Sequence, residues 1–250
     1  MYDHKQSLKE VVRHVIYRCG LIEAWDKVRN RRGRYTDYMR EGDIKEVFSQ
    51  IYSKNVWVEF KDQESLSGAG STQYAADKIV RSLSAFLREV SCRRLVDIGC
   101  GDFNWMQAVQ GDFDYLGIDV VPRVVEENSA RFQNERRRFI CLDASRNPIE
   151  AGDVALCREV LFHLSFADAK RLISNIKAAG FKYIILTSDK SIWFNSDIRN
   201  GDFRRINLQL APFNFPAPYK ELIDDRVAEG RVLAVWQADS LPGQNVAKAT

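Results

Sequence analysis

The sequence predicts an α/β fold: a mostly parallel sheet with an antiparallel C-terminal hairpin, preceded by a helical extension. Three observations point there. From residue 94 onward, short apolar runs alternate with stretches of helical periodicity, the pattern of a parallel sheet covered on both faces. The final apolar runs, in "YKELIDDRVAEGRVLAVWQADSL", are joined by a turn around Ala228–Gly230, too short for a crossover, so they pair antiparallel. Residues 1–60 hold helical patterns.

The elements follow in order. "SLKEVVRHVIYRCGLIEAW" places Val11, Val15, Cys19 and Ile22 on one stripe, with Val12 and Ile16 beside it. "DIKEVFSQIY" reads as a short helix with Asp43 as N-cap. Between them, "RNRRGRY" is basic; a solvated loop is favoured over a phosphate- or membrane-binding patch. After the Gly/Ser turn "SLSGAGS", a helix starts near Ser71. Strand 94–98 leads to a helix near 105–110, strand 115–119 to a helix near 123–133, and strands 139–142 and 154–157 follow. A helix spans 166–179, opened by Ser165 with Asp168 as a capping box and closed by Gly180. A strand covers 183–187. Residues 1–66 are expected to form the helical extension and 67–250 the main domain.

At 250 residues the chain can bury one substantial core, so one domain with an appendage is expected. A net charge of +3 points by itself to neither nucleic acid nor membrane. The five cysteines show no C-x-x-C spacing; Cys100, Cys141 and Cys157 sit in or just after apolar runs and read as small core residues of a reducing compartment. The N-terminus shows no apolar core followed by a cleavage site, and no run reaches a membrane span. A cytoplasmic protein is the simplest expectation.

The functional signal is "RLVDIGCGDFNWM". Gly99 and Gly101 follow a strand end, where an open α/β sheet binds its ligand, and are expected to point backbone N–H groups at it. The dinucleotide fingerprint G-x-G-x-x-G fails, because Asn104 stands at its last position. Asp97 inside the strand end suits a cationic or amine-bearing ligand. Asp119 ends the next strand, the place of a carboxylate that accepts ribose hydroxyls. Asp143 follows the third strand, where it can receive an adenine amino group. Three acids at successive strand ends are poorly explained as packing.

"VDIGCGDF", "YLGIDVV", "FICLDAS" and "ALCREVLFHLS" resemble, in order and spacing, the motifs of class I S-adenosylmethionine-dependent methyltransferases. The resemblance runs from about Ser67 to the C-terminus and includes the final hairpin of that Rossmann-like sheet. It implies S-adenosylmethionine as cofactor. Asp97, Gly99, Cys100, Gly101 and Asp102 would shape the methionine end of its pocket. Asp119 and Val120 would hold the ribose, and Asp143 and Ala144 the adenine; Arg158, on the loop after the fourth strand, is expected to buttress the cofactor or to pair with one of the acids. Phe103 stands where the family often has a third glycine. "FSQIYSKNVW", "SGAGST", "CGDFNWM" and "GDFRRINLQLAPFNFPAP" further resemble a bacterial subgroup that modifies small molecules or glycans.

For the chemistry, His163 and Glu159 are the alternative general bases; an unperturbed imidazole titrates near ~6.5. The segment 188–218 lacks helical periodicity and mixes aromatics with donors, so it is expected to form a substrate wall through Arg204 and Asn207, with Trp105 facing the same pocket. No metal is expected, since Asp189 alone makes no ligand set. The leading expectation is O-methylation of a small molecule or a sugar of a glycan or glycolipid. A nucleic-acid methyltransferase, suggested by "RNRRGR" and "NERRRF", and a catalytically silent partner of a glycosyltransferase are the alternatives; no nucleic acid is expected in the leading reading. The N-terminal helices stay open between dimerising the protein, covering the cofactor and docking a membrane peripherally. The oligomeric state and the acceptor are not specified.

Overall fold

A computed structural model describes residues 4–31, 37–40, 42–58, 63–226 and 228–242. Seven strands form one sheet: β1 (Arg94–Ile98), β2 (Asp114–Asp119), β3 (Arg137–Cys141), β4 (Val154–Cys157), β5 (Tyr183–Asp189), β6 (Lys220–Ile223) and β7 (Arg231–Gln237). Their order is β3-β2-β1-β4-β5-β7-β6. Strands β1 to β5 pair in parallel, and β7 runs antiparallel to both β5 and β6. The hairpin is therefore not a simple addition at the edge, because its second strand is inserted between β5 and β6. Burial explains the choice. Arg231 to Trp236 of β7 are all buried, whereas β6 exposes Glu221 and Ile223 and can tolerate the edge.

Successive residues of each strand face opposite sides. Val96, Ile98, Ile118, Leu186 and Trp236 join one core layer; Leu95, Tyr115, Leu156, Ile185 and Val235 join the other. Helix α4 (Gln73–Glu89) covers the second layer through Ile79, Leu83 and Phe86, and Thr72 caps it by accepting the Ala75 N–H at 3.2 Å. Helix α5 (Pro122–Phe132) connects β2 to β3. Helix α6 (Phe166–Ala178) covers the first layer, together with α3 (Ile44–Ser53), which Asp43 caps as expected. Ile44, Val47, Phe48 and Ile51 of α3 thus share a core with the sheet.

Three local expectations change. The helix after the glycine turn is only a 3-10 turn, Met106–Ala108, because Phe103 adopts φ +58° and Phe103, Trp105 and Met106 are all buried. Such a φ costs a non-glycine residue about 1–3 kcal/mol; rings at centroid distances of 5.0 to 5.3 Å from Tyr115, Phe132 and Phe139 hold Phe103 there. The predicted N-terminal stripe is broken at Gly20 (φ +69°) into α1 (His4–Arg18) and α2 (Ile22–Arg31). Leu8, Val12 and Val15 stay exposed, because α1 docks on a charged segment through Glu10 and Arg13. Of "RNRRGRY", residues 29–31 close α2 and 32–35 lie outside the described residues. No described helix is long and apolar enough to cross a membrane.

Candidate functional site

Strand β1 is followed by β2 on one side and flanked by β4 on the other, so its C-terminal end is the switch point of the sheet. A cavity opens there. Asp97, Asp119 and Asp143, far apart in sequence, all line it, with Gly99, Cys100, Gly101, Val120 and Ala144. Asp119 is set from both sides: one oxygen accepts the Gly101 N–H and the other the Val121 N–H, each at 3.0 Å. Burial raises its carboxyl above the usual range, and these backbone donors oppose the rise. Asp97 is buried against Tyr115, whose hydroxyl donates to it at 2.8 Å; burial lifts its pKa to about 7, with Tyr115 pulling down and Asp119 pushing up. Asp143 Oδ1 accepts from the N–H and hydroxyl of Ser145, at 2.9 and 2.7 Å.

The glycines work differently from expectation. The N–H of Gly99 donates to the Ile118 carbonyl at 2.7 Å and that of Gly101 to Asp119, so neither points at a ligand. Their contribution is space and conformation. Both have positive φ, +75° and +56°, and a Cβ would run into Val160 at Gly99 or Ser67 at Gly101. A turn whose N–H groups are consumed internally suits a ligand without phosphates. Asp102, expected beside the cofactor, is not part of the cavity wall. Its carboxylate accepts the Leu66 N–H at 2.7 Å and so ties the approach to α4 onto the turn.

The loop after β4 brings in Arg158, Glu159 and His163. Arg158 pairs with none of the three strand-end acids. Its Nε and Nη2 reach Asp224 at 2.8 and 2.9 Å, Nη1 reaches the Gly70 carbonyl, and its guanidinium lies over the Trp105 ring. Glu159 has φ +62° and is ion-paired with Arg231. Burial would raise its carboxyl, but Arg158, Arg231 and His163 hold it below the ordinary range. It is a fixed negative charge and a weak base. His163 differs: burial holds its imidazole below the ordinary value, against the pull of Asp202 and Glu159. Its Nδ1 lies 2.9 Å from the Asp202 carbonyl oxygen. A carbonyl only accepts, so Nδ1 carries the proton and Nε2 of the neutral ring has a free lone pair.

The segment 188–218 is irregular, as expected, but it is packed rather than open. Arg204 is 0 % exposed and donates to the carbonyls of Leu161 and Phe162; Asn207 donates its N–H to Asn195 and accepts from the Gln209 N–H. Neither lines the cavity: Arg204 Nη1 is turned to the carbonyls of the His163 loop, and the Asn207 side chain to the segment's own backbone. Trp105 does line it. The aromatic wall comes instead from before residue 66. Phe48, Tyr52 and Trp57 line the cavity, with the Trp57 ring 4.8 Å from that of His163 and the Tyr52 hydroxyl 2.7 Å from Ser67 Oγ. "FSQIYSKNVW" held that signal, but nothing local in it shows which way the helix docks.

The residues present fit S-adenosylmethionine: a pocket at the switch point, acids for an ammonium and a ribose, and glycine positions where any side chain would close the space. Residues 96–179 match the model of a methyltransferase domain. No functionally curated protein matches the chain in sequence. Among solved structures, the methyltransferase domain of bacterial CtHen1 is 16% identical, over 65% of this chain and 99% of that one, with a TM-score of 0.50. Magnesium protoporphyrin IX methyltransferase from Synechocystis PCC 6803, solved with bound S-adenosylmethionine, is 16% identical over 63% of this chain and 82% of that one, TM-score 0.47. The amino pentose methyltransferase CalS10 from Micromonospora echinaspora is 17% identical over 52% and 58%, TM-score 0.40. At 16% identity the likeness to the CtHen1 domain is one of fold, a Rossmann-like sheet.

Proposed function

We propose that this chain, an S-adenosylmethionine-dependent methyltransferase with its methyltransferase domain at residues 96–179, methylates a hydroxyl of a small polyhydroxylated acceptor such as a sugar. The observation that carries the reading is His163: a half-buried, neutral imidazole in the cavity wall, with Nδ1 engaged by Asp202 and Nε2 left as a base. Hydroxyl methylation needs such a base, because the oxygen must lose its proton as it attacks.

Bound S-adenosylmethionine supplies a methyl group on a sulfonium. In this reading the Asp119 carboxylate accepts the ribose hydroxyls with its remaining lone pairs, already oriented by two backbone donors. Asp97 accepts the ammonium of the methionine end. Asp143 and Ala144 hold the adenine edge. His163 takes the acceptor proton at Nε2, and Glu159 facing the ring steadies the imidazolium. Trp57, half-buried in the cavity wall, offers an aromatic face on which the apolar side of a sugar ring stacks. The described cysteines are all free thiols, which supports a reducing, cytoplasmic setting.

The test is release of S-adenosylhomocysteine from the purified protein offered hydroxyl acceptors (sugar nucleotides, free glycans), amines, or RNA and DNA. Turnover with hydroxyl acceptors, lost in His163→Asn while cofactor affinity persists, is expected. Turnover only with amines or nucleic acid overturns the reading.

A further inference from the structure

None of the described residues of α1 and α2 lines the cofactor cavity, yet both helices are fastened to the element that holds its histidine. That element is a strap, residues 199–205, crossing behind the loop after β4. On its outer side Arg29 Nη1 and Nη2 grip the two carboxylate oxygens of Asp202 at 3.0 and 3.2 Å. Arg199 Nη1 reaches Asp26 at 3.1 Å, Arg205 reaches Glu10 at 3.1 and 3.3 Å, and Arg13 donates to the Phe203 carbonyl. On its inner side the Asp202 carbonyl accepts from His163 Nδ1 at 2.9 Å, and the Gly201 N–H donates to the His163 carbonyl at 2.8 Å. The Arg204 N–H and Nη1 hold the carbonyls of Phe162 and Leu161, at 3.0 and 2.9 Å. One residue, Asp202, thus joins the N-terminal helices to the base.

We propose that the Arg29–Asp202 fork is a positioning device: by fixing the Asp202 peptide against Nδ1, it keeps the ring proton there and leaves Nε2 bare toward the acceptor. The inference deepens, and for its catalytic meaning rests on, the assignment of His163 as base. A fork is suited to this. Two parallel N–H···O bonds set the direction of the carboxylate as well as its place, which a lysine ammonium does not. A neutral imidazole with no fixed partner exchanges its proton between the two nitrogens, and the form protonated at Nε2 has no lone pair to offer. The strap is irregular and pairs in no strand ladder; beyond the backbone bonds of Gly201 and Arg204, its side chains hold it, and of these only Asp202 also carries the carbonyl that meets the ring. The charged groups facing the ring are Glu159 on its own loop and Asp202 and Arg204 on the strap, with the Trp57 and Phe203 rings closing its faces.

The chain has three histidines, so long-range proton–nitrogen correlation resolves the tautomer and titration of each. In the intact protein, His163 is expected to be protonated at Nδ1 alone. In Arg29→Met it is expected to show signals of both tautomers and a titration raised toward the ordinary value near ~6.5, as water reaches the ring. Arg29→Lys, which keeps the charge without the fork, is expected to behave like Arg29→Met. Asp202→Asn, which keeps the backbone carbonyl and loses one charge, gives an independent variant with the same mixed signature. A His163 that stays purely Nδ1-protonated with unmoved titration in Arg29→Met and Asp202→Asn overturns the proposal; so does full restoration by lysine, which reduces the fork to a charge. Full turnover in His163→Asn together with the predicted tautomer shift overturns the base assignment and leaves the positioning intact. An inactive His163→Asn with silent Arg29 variants overturns the positioning alone.

Discussion

Arg158 and Asp224, 66 residues apart, form a two-bond ion pair of 2.8 and 2.9 Å beneath the cavity, with side chains 3% and 1% exposed. The pair ties the loop after β4 to the end of the edge strand β6. Removing one partner leaves a buried charge without compensation, which costs about 3–5 kcal/mol. Asp224→Ala is therefore expected to unfold at markedly lower urea. Arg158→Met with Asp224→Leu should recover much of that loss, since a well-packed apolar pair is nearly neutral against a buried ion pair. A double variant no more stable than the single one would show that the pair does more than cancel its own charge.

Asp119→Ala is expected to abolish measurable cofactor binding by calorimetry, because it removes the ribose acceptor and orphans the N–H groups of Gly101 and Val121, each lost bond costing about 1–3 kcal/mol. Unchanged affinity would refute the assignment of Asp119 to the ribose.

Asp97 is expected to make cofactor binding depend on pH. Its pKa is about 7 in the free protein, and an ammonium needs the carboxylate. Above pH 7 the carboxylate is present and binding is full; below pH 7 a proton must first leave, and affinity falls toward about tenfold per unit. Tyr115→Phe removes the hydrogen bond that lowers this pKa, so the fall should begin at higher pH. Calorimetry at pH 6 and 8, in buffers of different ionisation heat, counts the proton directly; equal affinities at the two values would contradict it.

His163→Asn is expected to lower turnover by about 10²–10⁴ while sparing cofactor affinity. Because the imidazole titrates below its ordinary value, the base stays neutral at pH 7. Wild-type turnover should therefore decline only on the acid side, as protonation removes the lone pair.

Gly99→Ala combines φ +75° with a Cβ driven into Val160. A loss of at least about 1 kcal/mol in denaturant unfolding, with weakened cofactor binding, is expected. Wild-type behaviour would mean that the turn relaxes freely.

Much of the acidic side of the cavity was legible because it is local. Asp97, Asp119 and Asp143 each sit at the end of an apolar run, and parallel strands bring such ends to one edge whatever the loops do. The hydrogen-bond use of Gly99 and Gly101 was not legible, since their acceptors lie on β2. Arg204 and Asn207 read as substrate donors because a sequence shows the polar group and not the backbone group it meets; Arg204 donates to the Leu161 and Phe162 carbonyls and the Asn207 side chain accepts the Gln209 N–H.

The sequence by itself determined the parallel sheet, the switch-point turn and the three acids that meet at one cavity, because these follow from period, strand ends and residue chemistry. Only the tertiary structure decided what faces that pocket from afar. Tyr52 and Trp57 arrive from α3 and the turn after it, Asp224 from just past the edge strand, and Asp202 from a strap gripped by Arg29. Such meetings depend on where distant segments dock, and docking is settled by the summed packing of the whole chain rather than by any local run of residues.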